Sequence, residues 1–289
     1  MPAQFNEYAT IKTVSVRHSR DAFLAHSSSS DIWGKLDWLS APDINAAHAE
    51  YDRFIEILRS TGADVIQQPA DDALSPDGLY VRDTSLVTPV GIILCNMGKP
   101  ARRTEAAIAE TVYREHGFKI AGTIEAPGTI EGGDIIWLDE KTIVVGEGYR
   151  TNLSGIEQMQ NILGPEIDVI IVQLPHWNGE NDVFHLMSMI SPLDKDLALI
   201  YPRPMSVSFI RWLEERDISL VHMPDEEFDS MGCNVLALGP RKVLVMEKNP
   251  LTRKVLEQAG CEVITYSGKE ISAKGCGGPT CLTRPLVRE

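Results

Sequence analysis

The stretch YVRDTSLVTPVGIILCN, residues 80–96, reads as a strand, a tight turn and a second strand. A helix-like segment from Arg102 to His116 follows, and then a third apolar run, KIAGTI, at 119–124. The same order returns in GGDIIWLDEKTIVVGEG (132–148), whose hairpin carries the polar turn Asp139-Glu140-Lys141, with a helix over Asn152–Leu163 and the run DVIIVQL at 168–174. A third unit has HLMSMISPLDKDLALIY (185–201), a helix from about Pro204 to Glu215, and ISLVHMP (218–224). The fourth has NVLALGPRKVLVME (234–247), a helix from about Pro250 to Ala259, and CEVITYS (261–267). Four returns of one strand-turn-strand-helix-strand pattern predict a repeat architecture of α/β class, because each unit buries its apolar face only against its neighbours.

Upstream, KTVSVR (12–17), a long helix from about Ile44 to Ser60, and ADVIQQ (63–68) make a fifth unit that lacks one hairpin strand. The tail CLTRPLVRE (281–289) supplies it. Sharing one module between the two ends closes a ring of five, which removes the exposed sheet edges of an open array. Ring closure also predicts a single domain over 1–289, and no linker or low-complexity tract marks a boundary.

With 289 residues, 43% of them hydrophobic, the chain is long enough to bury a full core. No apolar run approaches the ~20 residues of a membrane span, and MPAQFNEYATIK lacks the layout of a signal peptide. A cytoplasmic location is the expectation. The five cysteines are odd in number and without framework spacing, so reduced thiols are expected. A formal net charge of −14 argues against nucleic acid or an anionic membrane as partner and suits a cationic ligand, although acidic balance mostly serves solubility.

Polar residues with chemical potential fall at matching places in successive units: Asp83, Asp134, His185, Asn234 and Cys281, at intervals of 51, 51, 49 and 47 residues. Equivalent positions in a ring approach one axis, so these residues are expected to converge on a central site. Taken singly, each has a plainer reading. A cysteine is usually a small buried hydrophobe, which suits Cys95, Cys233 and Cys261 beside their strand patterns. Cys281 differs, since it stands in the glycine-rich GCGGPTCLTRPL just before an apolar strand. Cys276 in the same loop is its rival, with poorer register among the repeats. His185 opens what reads as a core strand, where it either caps that strand or points to the ring centre; histidine suits both proton donation to a leaving amine and activation of water. Asp83 in YVRDTSLV, and Glu131 with Asp134 in IEGGDI, are turn caps or salt-bridge partners when read alone; together they suit a planar cation whose N–H groups form a fixed fork. His, Cys, Asp and Glu are all zinc ligands, but HExxH, CxxC and paired-histidine spacings are missing, so no metal and no cofactor are expected.

The set YVRD, IEGGD, the FHL around His185 and GCGGPTCLTRPL resembles the guanidino-group-modifying superfamily of arginine deiminases, dimethylarginine dimethylaminohydrolases and amidinotransferases. The resemblance runs from about Tyr80 to the C-terminus. It implies a five-bladed pseudo-symmetric α/β propeller, a pentein-type ring of ββαβ modules. It also implies that Cys281 attacks a guanidinium carbon, His185 is general acid and base, Glu131 and Asp83 grip the guanidinium, and Asp134 orders the site around His185. Arg102 or Arg103 and Arg150 are implied to bind the substrate carboxylate; without the resemblance they read as helix-start surface charges. Deiminases have HLD where this sequence has His185-Leu186-Met187, and they carry a long helical insertion, so the dimethylaminohydrolases are the nearer branch. Against that branch, Arg82 precedes Asp83 where two acids are usual, and the ending GGPTCLTRPLVR is deiminase-like. The expected partner is a small guanidino substrate, with a homodimer possible. The expected activity is C–N hydrolysis to a ureido product, with deiminase-like, amidinotransferase or non-catalytic sensor roles as alternatives.

Overall fold

The computed structural model describes residues 3–26, 31–180 and 182–289. Its fifteen strands form five three-stranded sheets. One sheet holds β3 (Ser85–Thr88), β4 (Gly91–Leu94) and β5 (Ile120–Thr123), and the next β6 (Ile135–Asp139), β7 (Thr142–Glu147) and β8 (Asp168–Gln173). Then come β9 (Ile190–Asp194), β10 (Leu197–Ile200) and β11 (Ser219–His222), followed by β12 (Leu236–Gly239), β13 (Lys242–Met246) and β14 (Glu262–Tyr266). The fifth sheet joins β15 (Arg284–Arg288) from the C-terminal end to β1 (Ile11–Val16) and β2 (Asp64–Gln67). The tail closes the ring as its sequence predicts: β15 runs antiparallel to β1, with Pro285 opposite Val14.

Within each of the four uninterrupted modules the first two strands pair antiparallel through a short turn, and the third pairs parallel after a helical crossover. Burial follows from position. The central and axial strands are mostly buried, β10 and β12 at every residue, because one face meets the ring interior and the other meets helices. The outer parallel strands β2 and β11 are exposed at both ends and only half-buried between. The crossover helices span Ile44–Ser60, Glu105–Glu115, Leu153–Leu163, Val207–Glu214 and Pro250–Gln258. Ile44–Ser60 shows why they form: Asp43 caps its start through Ala46 N–H (3.0 Å), and Ala47, Tyr51, Phe54, Ile55 and Leu58 make one buried stripe.

What the repeat pattern does not disclose is the element that carries the polar residues. Single 3-10 turns at Val81–Thr84, Gly132–Asp134 and Leu186–Ser188 precede the axial strands β3, β6 and β9. His185 is therefore the residue before a turn and does not open a strand; β9 begins at Ile190. These turns stack on one another around one mouth of the ring. They are joined to the C-terminal loop by a hydrogen bond from Arg82 N–H to the carbonyl of Cys281 (3.2 Å).

Candidate active site

Three of the turns deliver their polar side chains to one place. Glu131 Oε2 lies 2.8 Å from His185 Nε2, and Asp83 Oδ1 lies 4.0 Å from His185 Nδ1. Asp83 Oδ1 also accepts the N–H of Gly133 (2.8 Å), which fixes the first turn to the second. Asp134 Oδ1 accepts the N–H of Leu186 (3.0 Å), which fixes the second turn to the third. Gly133 is tightly enclosed: a Cβ there would stand 2.4 Å from His185 Nδ1 and 2.9 Å from Asp83 Oδ1. Gly133→Ala is accordingly expected to push the imidazole aside and to lower kcat/KM by about 10²-fold, the usual penalty for misplacing a reacting group by an ångström. A circular-dichroism melt alongside the kinetics will separate this from loss of fold.

The charges around His185 decide its state. Burial disfavours imidazolium, yet Asp134, Asp83 and Glu131 outweigh it and raise its pKa to about 9. Burial likewise pushes Glu131 up, but the bond to His185 and the nearby Arg150 and Arg102 hold it well below the carboxylate range. Asp134 is raised to about 6, chiefly by burial.

Cys281 is partly exposed and receives a hydrogen bond from Asn234 Nδ2 to Sγ (3.3 Å). Asn234 is held in turn by Thr280, whose N–H and Oγ1 donate to its Oδ1 at 3.1 and 2.6 Å. Burial and Asp83 push the Cys281 thiol above its ordinary pKa, against the bonds from Asn234, Thr280 and the Gly278 backbone. Cys276 also lines the site, from a left-handed backbone position (φ 56°). Cys95, Cys233 and Cys261 are buried, as their strand contexts predict.

A cavity of about 270 Å³ opens at this point, with Cys281, His185, Asp83, Asp77, Lys99 and Arg150 in its wall. A second of about 290 Å³ adjoins it and shares Cys281, His185 and Cys276. The first is rich in charge. The second carries Asp182 and Asp229 but also an apolar side made by Trp177, Phe184, Met187, Phe228 and Met231, with the Trp177 ring 5.6 Å from that of Phe184 and 5.1 Å from that of Phe228.

Several residues singled out in the sequence stand elsewhere than at the cavity surface. Arg103 is exposed, its Nε donating to the carbonyl of Met97 at 3.4 Å, and it lines neither cavity. Arg102 reaches the first cavity, but its fork is engaged: Nη1 with Asp83 (2.7 Å), Nε and Nη2 with the two oxygens of Glu105 (2.9 Å each), and Nη2 with the Tyr80 carbonyl (2.7 Å). It positions Asp83. Glu131 and Asp134 are fully buried behind His185 and line neither cavity. Arg150 does line the first, with Nη1 3.4 Å from Glu131. Arg82, which precedes Asp83 where two acids are usual, turns to the opposite side and meets Glu7 at 2.8 Å. His176, in the stretch LPHWNGEND at 174–182, bonds Tyr149 (2.6 Å) on the exposed surface; Asn181 of that stretch lies outside the described residues.

Two contributors escape the sequence reading. Asp77 is buried and holds Trp38 Nε1 and Lys99 Nζ at 2.8 Å each. Lys99 brings a cation to the wall, and its backbone N–H donates to Glu131 (3.0 Å). Asp77 sits in Ser75-Pro76-Asp77-Gly78, where an acid reads as turn chemistry, and no repeat interval reaches it.

Among the described residues Asp83, Glu131 and His185 offer ligand atoms within 4.8 Å of one another, a grouping of metal-site size. Both carboxylates already face guanidinium groups, Arg102 and Arg150, so a divalent cation there would meet positive charge from two sides.

The arginine deiminase family profile matches residues 73–213 and 203–288. The chain belongs to the arginine deiminase family. Among its relatives, the N(G),N(G)-dimethylarginine dimethylaminohydrolase of Pseudomonas aeruginosa is 30% identical over 247 residues, covering 85% of this chain and 90% of that protein. An arginine deiminase of Mycoplasma capricolum is 28% identical over 255 residues, and the match spans 62% of its length. The crystal structure of the Pseudomonas dimethylaminohydrolase, as a cysteine-to-serine mutant with citrulline, superposes with a TM-score of 0.76 at 27% identity and covers 97% of this chain and all of that one. A Microseira wollei amidinotransferase shares the fold with a TM-score of 0.82 at 21% identity. The five-module ring is thus the α/β propeller of this family, whose members are guanidino-group hydrolases and deiminases.

Proposed function

We propose that this chain hydrolyses an N-methylated arginine, or a close guanidino analogue, through a covalent Cys281 intermediate. The observation that carries the reading is the pair of chambers meeting at Cys281 and His185. The charged one suits the substrate's amino-acid end and guanidinium, with Lys99 and Arg150 opposite the carboxylate, Asp77 beside Lys99 opposite the α-ammonium, and Asp83 beside His185 opposite the guanidinium. The apolar one, bordered by Met187, suits methyl groups on the leaving nitrogen.

In this reading the substrate's charge favours the Cys281 thiolate, which the free site disfavours; the thiol proton leaves to solvent. Sulfur adds to the guanidinium carbon, and the amine departs with a proton from His185. Neutral His185 then takes a proton from water, the resulting hydroxide attacks the thiouronium carbon, and collapse expels the sulfur, which takes up the hydroxyl proton to regain the resting thiol, and leaves a ureido product. Asn234 steadies the sulfur throughout.

A panel of guanidines assayed for ureido product and released amine tests the substrate. The N-methylated arginine is expected to exceed free arginine in kcat/KM. Free arginine would leave N–H donors facing Met187 unpaired, costing roughly 1 to 3 kcal/mol, while each buried methyl gains about 0.8 kcal/mol. A higher kcat/KM for arginine or agmatine would overturn the branch. Activity is expected to survive exhaustive chelation; loss with EDTA and rescue by a divalent metal would replace thiol chemistry with metal chemistry at Asp83, Glu131 and His185.

A further inference from the structure

On the reverse side of the catalytic turns lies a group of charges that the proposed reaction does not use. Arg82, Arg284 and Arg288 are 1%, 5% and 5% exposed, and with Glu7 they surround a cavity of about 40 Å³ on the other side of the chain from Asp83. Glu7 comes from the segment that crosses this mouth of the ring, held by its own N–H to the Trp137 carbonyl (3.1 Å) and by Gln4 N–H to the Arg288 carbonyl (2.8 Å). Among the described residues Glu7 is the carboxylate in this cavity wall with the three arginines, and it pairs with Arg82 Nη2 at 2.8 Å. One negative charge against three leaves two guanidinium charges uncompensated in a buried place, which is among the most costly arrangements a fold can hold.

The hydrogen bonds are as incomplete as the charges. Arg284 Nη2 donates to the Arg82 carbonyl, and Arg288 Nη1 to the carbonyls of Ala9 (2.5 Å) and Ala237 (3.0 Å). Arg82 Nε, Arg284 Nε and Arg288 Nη2, all buried, have no acceptor among the described residues. Consistent with crowded positive charge, burial and then Arg82 for Arg284, and burial for Arg288 against the pull of Glu7, bring both guanidinium pKa values down to about 10.

We propose that these three arginines form a binding site for a small monovalent anion of the chloride, nitrate or formate class. A neutral water would satisfy donors and leave the charge, whereas an anion answers both. The cavity sets the size: about 40 Å³ exceeds the ~10–15 Å³ a single water needs and leaves no room for an organic ester. Arg82 ties the site to function, since its N–H holds the Cys281 carbonyl and its neighbour Asp83 faces His185. An anion here would stiffen the catalytic turns from behind.

Crystals of the full chain soaked in bromide give the direct test. An anomalous peak is expected among Arg82 Nε, Arg284 Nε and Arg288 Nη2; peaks confined to the Lys99 and Arg150 cavity, or none, would overturn the site. In solution, chloride titrated at constant ionic strength against bulky gluconate is expected to raise Tm saturably. Glu7→Gln is expected to bring half-saturation to about tenfold lower chloride or less, because removing a unit charge a few ångströms away is worth more than one decade of affinity in a partly buried site. Equal responses to chloride and gluconate, or a half-saturation unmoved by Glu7→Gln, would refute the proposal.

Discussion

Cys281→Ser is expected to abolish turnover, with kcat falling by roughly 10⁴-fold or more, the scale of loss when a covalent nucleophile is removed. The reason lies in what surrounds the sulfur. Asn234 donates to Sγ at 3.3 Å, and Cys281 borders both chambers, so it stands where a guanidinium bridging them would place its carbon. A serine hydroxyl there would need a base to ionise, and its neighbours are an amide and an imidazole already protonated at neutral pH. Cys276→Ser is the control, because Cys276 borders the same chambers; it is expected to keep activity within a few-fold. Mass spectrometry after treatment with a haloacetamidine supplies a second readout. One adduct is expected on the peptide containing Cys281 in the wild type and none in Cys281→Ser. Loss of turnover from Cys276→Ser with retention in Cys281→Ser would exchange the two cysteines' roles, and absence of any adduct with arginine binding intact would point to a sensor.

How far the sequence discloses this molecule depends on the range of the signal. Periodic features carry through well: the strand pairs, the helix over Ile44–Ser60 with its ends as read, and the sharing of one sheet between β1 and β15 all follow from apolar spacing repeated at nearly constant intervals. Short aperiodic features do not. A 3-10 turn such as Gly132–Asp134 spans too few residues to set a period, and its apolar flanks make it look like the start of a strand. The even intervals bring Asp83, His185 and Cys281 to one cavity, yet they cannot say whether a side chain faces the cavity or supports a neighbour, which is why Glu131 and Asp134 turn out to lie behind His185. Arg102 and Arg103 are indistinguishable as adjacent letters. A bend of one residue sends the first into the bidentate grip of Glu105 and the second to the surface. Arg82 shows the same limit: in the sequence it is only the residue that stands where a second acid is usual before Asp83, and it is the 3-10 turn over Val81–Thr84 that sends its side chain away from Asp83 to Glu7.

His185→Ala is expected to lower kcat by about 10² to 10⁴-fold, the contribution of one positioned acid–base group, while haloacetamidine still labels Cys281. Sulfur and proton donor are separable here because Asn234, rather than His185, bonds the thiol. In the wild type, raising the pH through about 9 removes the imidazolium proton, so kcat/KM is expected to fall on that limb, and the limb should vanish in the alanine variant. The same titration reaches stability. The folded-state pKa of about 9 lies above the ordinary 6.5, so imidazolium stabilises the fold fully below pH 6.5, and the contribution is lost as pH rises through 9. Removing His185 also leaves Glu131, Asp83 and Asp134 without the cation they share, so His185→Ala is expected to lower Tm most near pH 6 and least above pH 9, where the wild type has lost that cation too. Thermal melts of both proteins from pH 6 to 10 check the sign; a gap between them that widens toward pH 10 would mean that His185 is neutral in the folded enzyme and enters the reaction as a base from the start.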